Sequence, residues 1–141
     1  MMLDIDDFKL VNDTHGHQQG DIVLRAVGHI VRESSREIDT PARYGGEELA
    51  VVLPGTDLEG AFQVAERVRE MIEDLRLTRP GADRPLTVTA SFGVAAIPES
   101  AEDTKGLIAA ADAALYQAKR GGKNRTERAP VDEAAGPSGY G

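Results

Sequence analysis

Cysteine is absent from the 141-residue chain, which excludes disulfide frameworks, cysteine-ligated zinc and thiol nucleophiles. Basic charge is scarce: 16 Lys+Arg stand against 24 Asp+Glu, a formal net charge of -8. Polynucleotide backbones bind cationic surfaces, so no nucleic acid polymer is expected as a partner. A small anionic ligand stays open, because a divalent cation held by carboxylates reverses the local field. Long apolar runs are missing as well. No stretch approaches the ~18 residues that cross a bilayer, and the acidic opening Met1-Met-Leu-Asp-Ile-Asp-Asp has no signal-peptide character. The chain therefore reads as cytoplasmic, without membrane contact. What is there is ordinary globular composition, 40% hydrophobic and 28% charged, at a length suited to one domain with a buried core.

Met1 to Ile5 predicts a short strand running into a carboxylate cluster at Asp4, Asp6 and Asp7. From Asp21 to about Glu33, Val23, Leu24, Val27, Ile30 and Val31 recur at three- and four-residue spacing, the stripe of an amphipathic helix with Asp21 as its cap. Residues 42–54 predict two strands around Gly45-Gly46, the paired glycines supplying the positive backbone angles of a tight hairpin. Asp57 to Leu75 predicts a second helix that turns Leu58, Ala61, Phe62, Ala65, Val68, Ile72 and Leu75 inward. Residues 86–97, rich in β-branched side chains and bounded by Pro85 and Pro98, predict a long strand. A last helix over about Thr104 to Ala118 presents Leu107, Ile108, Ala111, Leu115 and Ala118 inward, with Lys119, Arg120 and Lys123 just beyond. Residues 126–141, rich in Ala, Gly and Pro, are expected to be a disordered tail. This order fits an α+β fold with a ferredoxin-like βαββαβ core, an antiparallel sheet flanked by helices.

If the first strand and the hairpin are neighbours in one sheet, Asp4 and Glu47 converge at strand ends. Two carboxylates there suit magnesium, a hard cation that takes oxygen ligands, keeps several waters and bridges carboxylates to phosphates. Acidic residues also cluster at solvated strand ends without any function, and for a single aspartate that account is the commoner one. The glycine pair shifts the balance, because a phosphate chain can approach a backbone that carries no side chains.

Four segments then stand out together. Asp4-Ile-Asp-Asp-Phe-Lys-Leu-Val-Asn-Asp-Thr-His-Gly-His-Gln-Gln-Gly-Asp21, Arg43-Tyr-Gly-Gly-Glu-Glu-Leu49, Val88-Thr-Ala-Ser-Phe-Gly-Val94 and Ala111-Asp-Ala-Ala-Leu-Tyr-Gln-Ala-Lys-Arg-Gly-Gly-Lys-Asn124 resemble the GGDEF family of diguanylate cyclases, in the family's order and approximate spacing over residues 1–125. The resemblance implies a ferredoxin-like sheet related to the nucleotidyl cyclase and polymerase palm folds. It implies condensation of two GTP into cyclic di-GMP and pyrophosphate by a homodimer, with magnesium or manganese as cofactor. By matching position, it makes Asp4, Glu47, Glu48 and the Ile5 carbonyl metal ligands. Glu47 and Glu48 become the catalytic acids, with Glu48 near the attacking 3′-hydroxyl. Asn12 and Asp21 fall to the guanine edge, Phe8 and Lys9 beside the triphosphate, and Lys119 and Lys123 on phosphate charge. The guanine assignment has a physical reason: N1–H and the 2-amino group are two donors facing an acceptor-only carboxylate, a pair adenine cannot offer. The lysines would also complement the end of a helix, and both roles are compatible.

Arg36 and Asp39, a few residues before Gly45, match the place of the family's Arg-x-x-Asp product-inhibition site, and Arg67 on the neighbouring helix is expected to add a second cation. The bland alternative is a surface ion pair of small worth. His15 and His17 lack the spacing that puts two imidazoles on one helix face, so no metal is expected there; His17 belongs to the family's loop. Departures are present too. The family's opening Asp-x-Leu-Thr-x-Leu-x-Asn-Arg segment is not found before Met1, so a truncated catalytic domain from a longer regulated protein is expected. Leu49 stands for the usual phenylalanine, and Lys123 stands for a more usual arginine, keeping charge but losing a bidentate fork. The rival function is a catalytically inactive effector that binds cyclic di-GMP or GTP. A single-nucleotide, adenylyl-cyclase-like reaction is disfavoured by Asn12 and Asp21.

Overall fold

The computed structural model describes residues 1–132. The chain runs β1 (Met2–Ile5), α1 (Phe8–His15), α2 (His17–Ser34), β2 (Thr40–Arg43), β3 (Glu48–Val52), α3 (Leu58–Glu73), β4 (Ala90–Val94), α4 (Thr104–Arg120) and β5 (Thr126–Arg128). The strands form one sheet in the order β2-β3-β1-β4-β5. β1 lies at the centre, antiparallel to β3 and β4, and β2 pairs antiparallel with β3. These four strands with α2 and α3 make the expected ferredoxin-like core. β5 departs from expectation by joining β4 in parallel, so the sheet is mixed. A parallel neighbour requires a crossover, and α4 supplies it.

Strand alternation decides what each face meets. Leu3 and Ile5 turn toward α2 and α3 and pack with Val51, Phe92 and Val94 among Val23, Val27, Ala65, Val68 and Ile72. Met2, one step out of phase, joins Ala95, Ala111, Ala114, Leu115 and Ala129 under α4. That second interface is close because β4 carries Gly93 there. A Cβ at this position would lie 2.2 Å from the Ala111 carbonyl oxygen and 2.3 Å from the Leu115 nitrogen. The apolar stripes of α2 and α3 face the sheet as their spacing predicts. Asp57 caps α3 by accepting from the Gly60 N–H at 2.8 Å, and Asp103 caps α4 through the Gly106 N–H at 2.7 Å.

Several boundaries differ from the sequence reading. α1 was not expected: it has eight residues and buries only Val11, too little for a periodic signal. α2 begins at His17, after Gly16 at φ 90, and makes no side-chain cap bond, so Asp21 lies inside the helix and is not its cap. The long strand over 86–97 shrinks to Ala90–Val94, with Leu86 bridged separately to Leu77. Ile108, read as inward, is 41% exposed. Thr126–Arg128, expected in a disordered tail, is the edge strand β5. Arg128 fastens it by donating to Glu59 at 3.0 Å while its guanidinium lies 3.5 Å from the Phe62 ring centre. A polar three-residue strand shows no alternation, so only its tertiary partners mark it. Residues 133–141 of that expected tail lie outside the described residues. Among the described residues no helix is long and apolar enough to cross a membrane.

Candidate active site

β1 ends at the chemistry. Its alternation buries Leu3 and Ile5 on one face, which leaves Asp4 on the other, toward α4. The β1–β3 register sets Asp4 directly opposite Glu48. One residue earlier, the Glu47 carbonyl accepts from the Ile5 N–H at 3.4 Å, so the two glutamates of the hairpin flank the end of β1. The turn itself works differently from expectation. Among the described glycines, positive φ occurs at Gly16, Gly55, Gly81 and Gly122, and neither Gly45 nor Gly46 is among them. Arg43 closes the turn instead, donating from Nη2 to the Gly46 carbonyl at 2.6 Å and from Nε to the Gly45 carbonyl at 3.2 Å. A side chain at Gly46 would meet no atom within 4 Å. The glycine there leaves backbone bare beside a cleft, and the absence of a side chain matters more than conformational freedom.

That cleft, about 460 Å³, is lined by Phe8, Lys9, Asn12, His17, Asp21, Leu24, Arg43, Gly46 and Glu47. α1 contributes Phe8, Lys9 and Asn12, and the first turns of α2 contribute His17 and Asp21, so the unexpected α1 gathers the residues that the sequence spreads along a loop. Asn12 reaches the start of α2 only because residue 20 is glycine: a Cβ there would lie 1.8 Å from Asn12 Oδ1. Lys9 points outward, pairing with Asp13 at 3.2 Å with its side chain 91% exposed.

On the α4 side, Lys119 is the central cation. Its ammonium lies 2.8 Å from Asp6 Oδ1 and 3.2 Å from Asp4 Oδ1 and donates to the Asp4 and Ile5 carbonyls at 3.3 and 3.4 Å. Lys123 reaches Asp7 at 2.6 Å. Burial, opposed by Lys119, pushes the Asp4 carboxyl above its ordinary pKa. Glu48 is pushed up too, first by burial and then by Asp112 of α4, within hydrogen-bond reach, and by Asp4 and Glu47. Asp6 behaves oppositely: burial raises its pKa, but hydrogen bonds from Lys119, Thr89 and Ser91 outweigh that and hold it below the ordinary value.

The description "Diguanylate cyclase, GGDEF domain" matches residues 1–125. The chain belongs to the GGDEF domain family. It is 44% identical over 125 residues to diguanylate cyclase A of Treponema denticola, covering 89% of this chain and 33% of that protein. It is 41% identical over 124 residues to the response regulator PleD of Caulobacter vibrioides, covering 88% of this chain and 27% of that protein. The chain thus spans about a third of the length of such relatives. Among solved structures, the GGDEF domain of DgcB from Caulobacter crescentus in complex with c-di-GMP superposes at a TM-score of 0.83 with 37% identity, over 91% of this chain and 75% of that one. The active GGEEF domain of a Vibrio cholerae diguanylate cyclase does so at 0.82 with 32% identity, over 93% and 81%.

The GGDEF domain's donor set fits the divalent cation that its family implies. Asp4, Glu47, Glu48 and the Ile5 carbonyl are hard oxygens, and Glu48 Oε1 is buried without a hydrogen-bond partner. Asp4, Glu47, Glu48 and Asp112 crowd negative charge, which Lys119 offsets at Asp4. Among the described residues no group of three or more acidic or histidine side chains could by itself hold a metal ion, so a cation here would draw the rest of its shell from substrate phosphates and water, as magnesium does.

The Arg36–Asp39 pair lies apart from these residues, at the end of α2. Asp39, its side chain 3% exposed, takes Arg36 Nη2 at 2.7 Å and the Arg36 backbone N–H at 2.7 Å. The guanidinium beside it lowers its pKa. Arg36 also donates to the Pro54 carbonyl at 2.9 Å and to Thr56 Oγ1 at 3.0 Å, and half of its side chain faces solvent. No hydrogen bond or ion pair among the described residues joins Arg67 to either residue. The sequence reading singled out neither Asp6, Asp112 and Asn124 as working residues nor Arg43 as the closure of the turn. Their signal was present, since all four fall inside the quoted motifs, but what each touches is a matter of tertiary contact.

Proposed function

We propose that this GGDEF domain is a diguanylate cyclase module. It holds one GTP, and two copies face each other so that each GTP's 3′-hydroxyl attacks the other's α-phosphate, forming cyclic di-GMP and releasing two pyrophosphates. The observation that carries this reading is the placement of Asp4 against Glu48, next in sequence to Glu47, which lines a cleft together with Asn12 and Asp21. Asp21 and Asn12 accept from or bond to the guanine edge, which fixes the base. Lys119 and Lys123 neutralise phosphate charge, while Phe8 and Lys9 flank the triphosphate. Asp4, Glu47, Glu48 and the Ile5 carbonyl would hold magnesium or manganese, which when bound polarises the α-phosphate and lowers the pKa of the hydroxyl. Glu48 accepts near that hydroxyl. Since one domain offers one nucleotide cleft, specific activity is expected to fall on dilution.

Incubation with GTP and magnesium, followed by chromatography, tests the reading. Cyclic di-GMP from GTP and no cyclic product from ATP supports it; binding of cyclic di-GMP without turnover would place the chain among inactive effectors. Arg36 and Asp39 support product inhibition, a matched pair for phosphate and guanine in which Arg36 must exchange its contacts to Pro54 and Thr56 for the ligand. Arg36→Ala is expected to abolish tight cyclic di-GMP binding in calorimetry and leave the initial rate with GTP intact.

A further inference from the structure

Asp6 has no part in the roles assigned above, yet it is the most completely hydrogen-bonded carboxylate of the site. Its side chain is 3% exposed. Oδ1 accepts from Ser91 Oγ at 2.7 Å and from Lys119 Nζ at 2.8 Å, and Oδ2 accepts from Thr89 Oγ1 at 2.7 Å and from the Asn124 backbone N–H at 3.0 Å. An ionised carboxylate has about four acceptor sites, and here all are used. Asp4 retains oxygens for a cation; Asp6 does not.

The donors come from separate places: β4 and its approach, the last turn of α4, and the loop after it. That loop is an uncommon one. Gly122, Lys123 and Asn124 follow one another at φ 122, 66 and 47, and non-glycine residues in this region persist only where their surroundings hold them. Asn124 is gripped on every side. Its backbone N–H is on Asp6, its Oδ1 takes Arg69 Nη1 at 2.9 Å, and its Nδ2 donates to Glu73. Lys123 projects from this loop to Asp7.

We propose that Asp6 is the positioning residue for both phosphate lysines: it holds the Lys119 ammonium directly and sets Lys123 by gripping the next residue. The inference rests on the reading of Lys119 and Lys123 as triphosphate ligands. The pairing of donors makes the carboxylate irreplaceable by its amide. Each oxygen serves one hydroxyl, which can reverse and accept, and one group that can only donate: Lys119 on Oδ1 and the Asn124 N–H on Oδ2. In Asp6→Asn the new NH₂ must confront one of those two whichever way the amide turns, so either the lysine or the loop is released.

The test is calorimetric titration with magnesium and 3′-deoxy-GTP, which lacks the attacking hydroxyl and binds without reacting. Asp6→Asn is expected to weaken binding about tenfold or more. In a Lys119→Met background the same change is expected to cost clearly less, because its main route is gone. Unchanged affinity in Asp6→Asn, or equal losses with and without Lys119, overturns the inference and leaves Asp6 as a fold residue only. If Asp6→Asn does not fold, Ser91→Ala withdraws one hydroxyl from the Lys119-bearing oxygen and is expected to weaken binding two- to fivefold at about 0.4–1 kcal/mol; no change there overturns the inference as well. Absence of binding in the unaltered protein would overturn the nucleotide reading itself, and the positioning role with it, an outcome distinguished by appearing without any substitution.

Discussion

The two faces of the sheet are built from the same strands and do opposite work. Under α2 and α3 lie Leu3, Ile5, Val51, Phe92 and Val94, large side chains closed off from water. Under α4 the residues are small, with Gly93, Ala95, Ala111 and Ala114, and at the strand ends the surface becomes ionic, with Asp4, Asp6, Glu48 and Lys119. β1 divides itself between them within four residues, Met2 and Asp4 to one side and Leu3 and Ile5 to the other. A rigid apolar face lets the opposite one carry charge that would not stand alone. The polar face then gains precision from close approach: α4 lies on bare backbone at Gly93, which brings Lys119 and Asp112 down onto the carboxylates.

The sharpest division would come from Phe92→Ala. Removing a fully buried ring from the α2–α3 face is expected to cost about 3–5 kcal/mol in urea unfolding, with the remaining folded fraction still binding GTP. Glu47→Gln is the converse. It is expected to lower turnover about 100-fold or more, at least the scale seen when groups supporting a metal are lost, while leaving the urea midpoint close to that of the unaltered protein. Gly93→Ala should break the separation, since the methyl group collides with the α4 backbone. A loss of about 1–3 kcal/mol is expected from overpacking, together with a weaker GTP interaction as Lys119 moves away. If Gly93→Ala changed stability and left nucleotide affinity alone, the contact between α4 and the sheet would have no share in placing the site.

The smallest effect concerns pH and separates two carboxylates on one face. Asp6 has its folded pKa lowered, so it contributes stability above its unfolded value of about 3.9, lost as pH falls through the folded value. Glu48 has its folded pKa raised, so its ionisation costs stability above that folded value, and the cost vanishes below the unfolded value of about 4.3. Glu48→Gln is therefore expected to melt higher than the unaltered protein at pH 7, with the gain gone at pH 4. Melting curves at the two pH values check it; an equal gain at both would show that charge is not the cause.

Periodicity marked α3, α4 and most of α2, because each buries an apolar stripe that repeats every three or four residues, and the acidic end of β1 was legible as a carboxylate cluster after a short apolar run. The motifs, through their resemblance, also singled out the residues that line the cleft. What they touch was decided elsewhere. α1 buries a single side chain, β5 has three polar residues, and the hairpin is closed by Arg43 rather than by positive φ, so none of these leaves a periodic trace. Asp6 shows the limit most clearly. In the sequence it is one of three aspartates in a row of four; its burial and its four donors come from Thr89, Ser91, Lys119 and Asn124, more than eighty residues away. Local pattern reports which face a side chain takes, whereas hydrogen-bond saturation depends on which distant groups the fold brings to it.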